Sequence, residues 1–218
     1  MKILIFGASG MVGQGVLREC LQAADVTAIT ALVRAPLPQQ HDKLQQRIVA
    51  DLPQADLSDL RDFDACFYCL GASSSGKSEA QYRALMQALP LSVAEKLRDG
   101  NPQLTFVFVT GGGADATSKT IWALVLGESE QRLQLLGLHR VFSFRPMLIQ
   151  PLHGIRSKQG NYRLFYTLAK PFLGLARRLL PRHILSTEII GKAMLNAARF
   201  GYEKSELEAA DIFTLAQR

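Results

Sequence analysis

No Asp or Glu occurs between Gln131 and Thr187, yet the same stretch holds ten Arg and Lys residues. The whole 218-residue chain carries a net charge of +6, so the remainder is net acidic. A solvated basic face, an anionic ligand, a membrane surface or nucleic acid would each suit such a stretch. No nucleic-acid motif accompanies it, and nucleic acid is not expected. Cysteine is scarce, with three in all, too few for a disulfide framework. Cys66 and Cys69 fall inside the apolar run from Ala65 to Leu70. Residues three apart on a strand face opposite ways, so these thiols read as core packing rather than as a metal or redox pair. His41, His139, His153 and His183 are scattered without ligand spacing, and no metal is expected. There is no apolar run of about 18 residues to span a bilayer. The opening Lys2 and its four apolar followers do not read as a secretory leader. A reducing cytoplasm is the expected location.

What the chain does have is a strand that runs into a glycine turn. Lys2 to Phe6 is short and apolar; Gly7, Gly10 and Gly13 follow at intervals of three; Val12, Val16, Leu17 and Leu21 then recur at helical spacing. Strand, glycine turn and helix together form the context of a dinucleotide fingerprint. Gly7 would permit the tight turn, Gly10 would let the backbone approach a pyrophosphate, and Gly13 would let the helix lie close to the strand. The free amides at the helix start would face the phosphates.

The alternation continues. Strands are expected at Val26–Val33, Arg47–Asp51, Phe63–Leu70, Leu104–Thr110 and Arg140–Phe144, and helices at Glu79–Arg98 and Ser118–Leu136. Pro90 should kink or divide the first of these helices. The pattern predicts an α/β fold, a doubly wound parallel sheet of Rossmann type. After Pro146 the rhythm changes. Asn161 to Leu180 reads as a basic, aromatic helix, Thr187 to Phe200 as an amphipathic helix, and Ile212 to Leu215 as a last strand. The organisation is therefore one domain over 1–218, with 147–210 contributing a small substrate or cap lobe. Tyr162 to Leu180 would pack as that cap, with contact to a membrane surface as the alternative.

The spacing Gly-x-x-Gly-x-x-Gly resembles the short-chain dehydrogenase/reductase superfamily in its extended and atypical branches. Val109-Thr-Gly-Gly-Gly-Ala-Asp115 resembles the stretch after the fifth strand in the Tat-interacting-protein-like, NmrA-like branch. Gly127-Glu128 and Arg145-Pro146 extend the likeness. The resemblance implies a nicotinamide dinucleotide held by Gly7, Ala8, Ser9, Gly10, Met11, Val12 and Gly13. It adds Arg34, Asp51 and Leu52, then Leu70, Gly71 and Ala72, then Thr110, Arg145 and Pro146. The second strand ends in Arg34 rather than an acid. A guanidinium there suits the 2′-phosphate of NADP, so NADP(H) is favoured over NAD(H). Asp51 resembles the residue that meets the adenine amino group in this superfamily.

Two features cut across this. Gly71-Ala-Ser-Ser-Ser-Gly76-Lys77-Ser78 matches the P-loop pattern residue for residue, and P-loop nucleotide binding is the competing reading. The resemblance also implies a Tyr-x-x-x-Lys proton relay, but the aligned positions hold Trp122 and Leu126. Indole cannot titrate as phenol does, and leucine cannot tune a neighbour. The assisting serine falls at Gly111, with Thr110 adjacent. Two functions follow: an oxidoreductase or epimerase-like enzyme acting on an unknown small molecule, or a catalytically silent NADP(H) sensor that acts through a protein partner.

Overall fold

The computed structural model describes residues 1–155, 177 and 180–218. Seven parallel strands form the main sheet: β1 (Lys2–Phe6), β2 (Ala28–Val33), β3 (Leu44–Ile48), β4 (Ala65–Tyr68), β5 (Thr105–Val109), β6 (Arg140–Arg145) and β9 (Glu206–Glu208), in spatial order β3-β2-β1-β4-β5-β6-β9. This is the Rossmann order. Phe6, the last residue of β1, stands level with Leu32 on β2 and Tyr68 on β4. The order reverses between β1 and β4, which leaves a crevice at their C-terminal ends.

Each face of the sheet has its own core. Ile3, Ile5, Phe67 and Val107 pack against α1 (Met11–Gln22), α5 (Thr187–Phe200) and α6 (Ala209–Leu215). Leu4, Phe6, Tyr68, Phe106 and Phe108 pack against α3 (Leu89–Arg98) and α4 (Ile121–Gln134). Tyr68 stacks on Phe6 at 5.7 Å and on Phe106 at 5.9 Å. Cys66 lies in the second core and Cys69 against the first, as strand alternation requires. Burial pushes the Cys69 thiol up to about 12.

Pro90 divides its helix in a specific way. The chain runs α2 (Glu79–Arg83), a π-helical turn (Ala84–Ala88), then α3. Leu89 N–H reaches back to Ala84 C=O, one residue further than in an α-helix. The slipped register restarts the helix with proline in its first turn, where a missing N–H costs nothing.

Two expectations need correction. The third strand is Leu44–Ile48 and not Arg47–Asp51. Its partner β2 sets the register, from Ile29 opposite Leu44 to Val33 opposite Ile48, which leaves Asp51 in the following loop. Ile212 to Leu215 is helix and not strand. A capping box between Glu208 and Asp211 starts α6, and Ile212 and Leu215, three apart, share its buried face. The last strand is instead β9. A separate parallel pair, β7 (Leu148–Gln150) and β8 (Ile184–Ser186), was not expected. The stretch 147–210, expected to supply a cap lobe, also builds the main domain through α5 and β9. Most of the expected helix from Asn161 to Leu180 lies outside the described residues.

Candidate dinucleotide cleft

The glycine turn follows directly from the end of β1. Gly7 has φ +81°, and a Cβ there would lie 2.8 Å from the backbone of Cys69 and Leu70. The turn therefore presses on the end of β4 and admits no side chain. Gly10 N–H donates to Gly7 C=O at 2.9 Å. A Cβ on Gly13 would come within 2.1 Å of that same carbonyl oxygen. Gly10 is the N-cap of α1 and offers no capping side chain. The first-turn amides of α1, beginning at Met11, thus have no capping side chain, and the positive end of the helix dipole lies behind them.

A cavity of about 350 Å³ occupies the crevice. Gly7, Ser9, Arg34, Asp51, Leu52, Leu70, Gly71 and Ala72 all line it. These eight sequence-selected residues come from four separate segments. Ala8, Gly10, Met11, Val12 and Gly13 do not line it: the Ala8 side chain is buried in the core and Gly13 beneath the turn. A second cavity of about 580 Å³ adjoins, sharing Ser9 and Arg34 and running along Ala35 to Gln39. Arg34 is exposed and stands between the two. Among the described residues it makes no ion pair.

Thr110, Arg145 and Pro146 lie elsewhere, at the ends of β5 and β6. Thr110 Oγ1 donates to Glu130 Oε1 at 2.7 Å. Arg145 holds the same carboxylate through three N–H contacts and also pairs with Glu206 at 3.0 Å and Glu208 at 3.2 Å. The Glu130 side chain is 1% exposed. Bonds to Glu130 raise the Arg145 guanidinium above its ordinary range. This clasp ties β5, β6, β9 and α4 together and occupies Arg145 fully. Pro146 C=O accepts from Gly112 N–H. Trp122 and Leu126 face the same way as Glu130, at i, i+4 and i+8 on α4; Leu126 is buried and Trp122 half-buried.

Sequence reasoning missed the cleft's apolar wall. Leu85, Met86 and Leu89 reach it from the π-helical turn and the start of α3. Ala72 N–H donates to Met86 Sδ at 3.3 Å, which pins the Gly71-Ala72 loop to that turn. The only sequence sign was Pro90 itself, which forces the slip. In the 71–78 segment, the Ser78 hydroxyl accepts from Gln81 N–H and caps α2. A P-loop needs that hydroxyl for magnesium, so the geometry favours a cleft-lining loop. Among the described residues no group of three His, Cys, Asp or Glu could hold a metal.

No protein-family model matches the chain. Protein fmp52, mitochondrial, of Emericella nidulans is 28% identical over 210 residues, covering 90% of this chain and 86% of its own length. Proteins of the same name from three Aspergillus species also match. These names point to mitochondria and overturn the cytoplasmic expectation. Among solved structures, UDP-glucuronic acid 4-epimerase from Bacillus cereus, in complex with NAD, superposes with a TM-score of 0.68 at 14% identity, over 95% of this chain and 76% of that one. A short chain dehydrogenase family protein from Francisella tularensis gives 0.63 at 14% identity, over 96% and 98%. The chain therefore has the Rossmann-like α/β fold of short-chain dehydrogenase structures.

Proposed function

We propose that this chain binds a nicotinamide dinucleotide at the β1/β4 crevice, NADP(H) ahead of NAD(H), as an atypical, NmrA-like short-chain dehydrogenase relative. The supporting observation is the convergence of Gly7, Ser9, Arg34, Asp51 and Gly71 on one cavity where the strand order reverses. Ligands of open α/β sheets bind at that point. The epimerase of the same fold was solved with NAD, which adds to this reading. In it the amides at the start of α1 hold the pyrophosphate. Arg34 pairs with the 2′-phosphate, and Asp51 meets the adenine edge. The dinucleotide would supply hydride; the chain's part is to bind and orient it.

The proton chemistry is where this chain departs from the family pattern. Trp122 and Leu126 stand at the relay positions, and Leu126 is buried. An enzyme built here is an oxidoreductase or epimerase-like protein with non-standard acid–base groups. The burial of Leu126 favours the second reading, a non-catalytic NADP(H) sensor working through a protein partner.

Titration with NADPH and NADH tests the binding reading. Arg34→Ala should weaken NADPH by about ten- to hundredfold, as loss of a charge-assisted bond of about 1.5–3 kcal/mol would, and leave NADH little changed. Equal losses would mean that Arg34 stacks or braces the loop. Turnover across carbonyl compounds and sugar nucleotides separates the enzyme from the sensor.

A further inference from the structure

A groove of about 530 Å³ opens where β6 begins, between the turn after α4, the loop from α5 to β9 and the residues after α6. The dinucleotide cleft stands at the C-terminal ends of the same parallel sheet, so this groove lies at the opposite end. The two share no lining residue. Arg140, Lys204 and Arg218 line the groove together with His139, and Glu203 is the one acidic side chain among its lining residues.

The three strong cations come from three segments, and each is seated. The Arg140 guanidinium rests on Gly201, where a Cβ would lie 3.3 Å from Nη1, 3.5 Å from Cζ and 3.7 Å from Nε. The C-terminal end of α5 favours a cation at that place. Yet among the described residues this guanidinium meets no carboxylate and no hydrogen-bond acceptor. Arg218 sits over the Tyr202 ring at 5.3 Å, and its main-chain oxygen accepts from Asn196 Nδ2 at 3.3 Å. Lys204 Nζ donates to Asp211 Oδ1 at 2.8 Å, which holds the ammonium and uses one of its three N–H groups. Glu203 pairs with none of them among the described residues. Positioned N–H groups are thus left without acceptors.

A carboxylate offers two oxygens, whereas a phosphate group carries a charge of about −1.5 to −2 and three acceptor oxygens. Cations brought to one groove from three segments suit the second. We infer that this groove is a second anion site, separate from the dinucleotide cleft, and that Arg140, Lys204 and Arg218 hold the phosphate or diphosphate group of a small molecule there. The Phe200 ring also lines the groove and is 60% exposed, which gives the rest of such a ligand an apolar face.

Inorganic pyrophosphate is the probe, titrated calorimetrically into the folded chain at low salt. The glycine turn could take the same anion, so wild type and Gly10→Val are both measured, and NADPH is titrated separately to read the cleft. Saturable binding of pyrophosphate to Gly10→Val is expected. Arg140→Gln and Arg218→Gln, made in both backgrounds, should each weaken it by about tenfold or more through loss of a charge-assisted contact. Arg218 is exposed and lies beyond α6, so its variant keeps the test open if Arg140→Gln does not fold. No saturable binding to folded Gly10→Val, or binding unchanged in either folded arginine variant, would overturn the site. If NADPH fails to bind while pyrophosphate still depends on both arginines, the dinucleotide reading falls and this site stands.

Discussion

Gly127 carries the backbone of Asp115 on its face. A Cβ on Gly127 would lie 2.5 Å from Asp115 C and 2.2 Å from Ala116 N. Asp115 N–H also donates to Ala123 C=O on the same helix. The loop after β5 can lie on α4 here because α4 has no side chain at this position. Gly127→Ala should destabilise the fold by about 1–3 kcal/mol through overpacking. Gly111→Ala, facing open space without a positive φ, should cost far less. Chemical denaturation of both variants checks the contrast, and equal losses would remove the contact from the account.

Gly10 and Gly13 should fail differently. A Cβ on Gly13 meets Gly7 O at 2.1 Å, whereas one on Gly10 meets it at 3.3 Å with nothing else close. Gly13→Val should lower Tm sharply or prevent folding. Gly10→Val should fold and lose NADPH. A folded Gly10→Val protein with unchanged NADPH affinity would sink the pyrophosphate assignment.

Glu130 is the buried half of the clasp with Arg145. Removing one partner of a buried pair typically costs about 3–5 kcal/mol, because the other charge is left behind. Glu206 and Glu208 still neutralise Arg145, so Glu130→Ala should fall at the low end of that range. Urea denaturation measures it. A loss under about 1 kcal/mol would show that the carboxylates on β9 carry the clasp alone.

Arg83 and Gln87 hold the Glu128 carboxyl below the usual range. A depressed folded pKa adds stability that is present above the unfolded value of about 4.3 and is lost as pH falls through the folded one. The melting temperature should therefore drop below about pH 4. Arg83→Met should flatten part of that acid limb and lower Tm at neutral pH. An unchanged acid limb would rule this pair out as a contributor.

The Tyr68 hydroxyl is buried without a hydrogen-bond partner among the described residues. Burial raises its pKa far above that of a free phenol. An unpaired buried hydroxyl costs about 1–3 kcal/mol. Tyr68→Phe should keep the stacking on Phe6 and Phe106 and leave stability equal or higher. A marked loss of stability on calorimetry would mean that a buried water satisfies the hydroxyl.

Local patterns made part of the cleft legible. Gly7, Gly10 and Gly13 announce their turn by their spacing, and a side chain is refused at two of them: Gly7 has φ +81° and a Cβ on Gly13 would strike Gly7 O. Arg34 announces itself by ending a strand where an acid is usual. The Glu130 clasp was not legible. Thr110, Glu130, Arg145 and Glu206 are far apart in sequence and meet only through sheet order. The apolar wall from Leu85 and Met86 was hidden for a related reason, since a slipped helical register sets which side chains face the cleft.

By itself the sequence determined the alternation of strands and helices and the glycine turn. Those features depend on φ and on periodicity, which are local. Tertiary structure decided the rest. Pairing with β2 put Asp51 in a loop that lines the cleft, capping by Glu208 and Asp211 made helix of Ile212 to Leu215, and packing against Asp115 fixed glycine at position 127. In each case the deciding partner lies on another segment or in a cap, and hydrogen bonding and close packing with it outweighed the local preference.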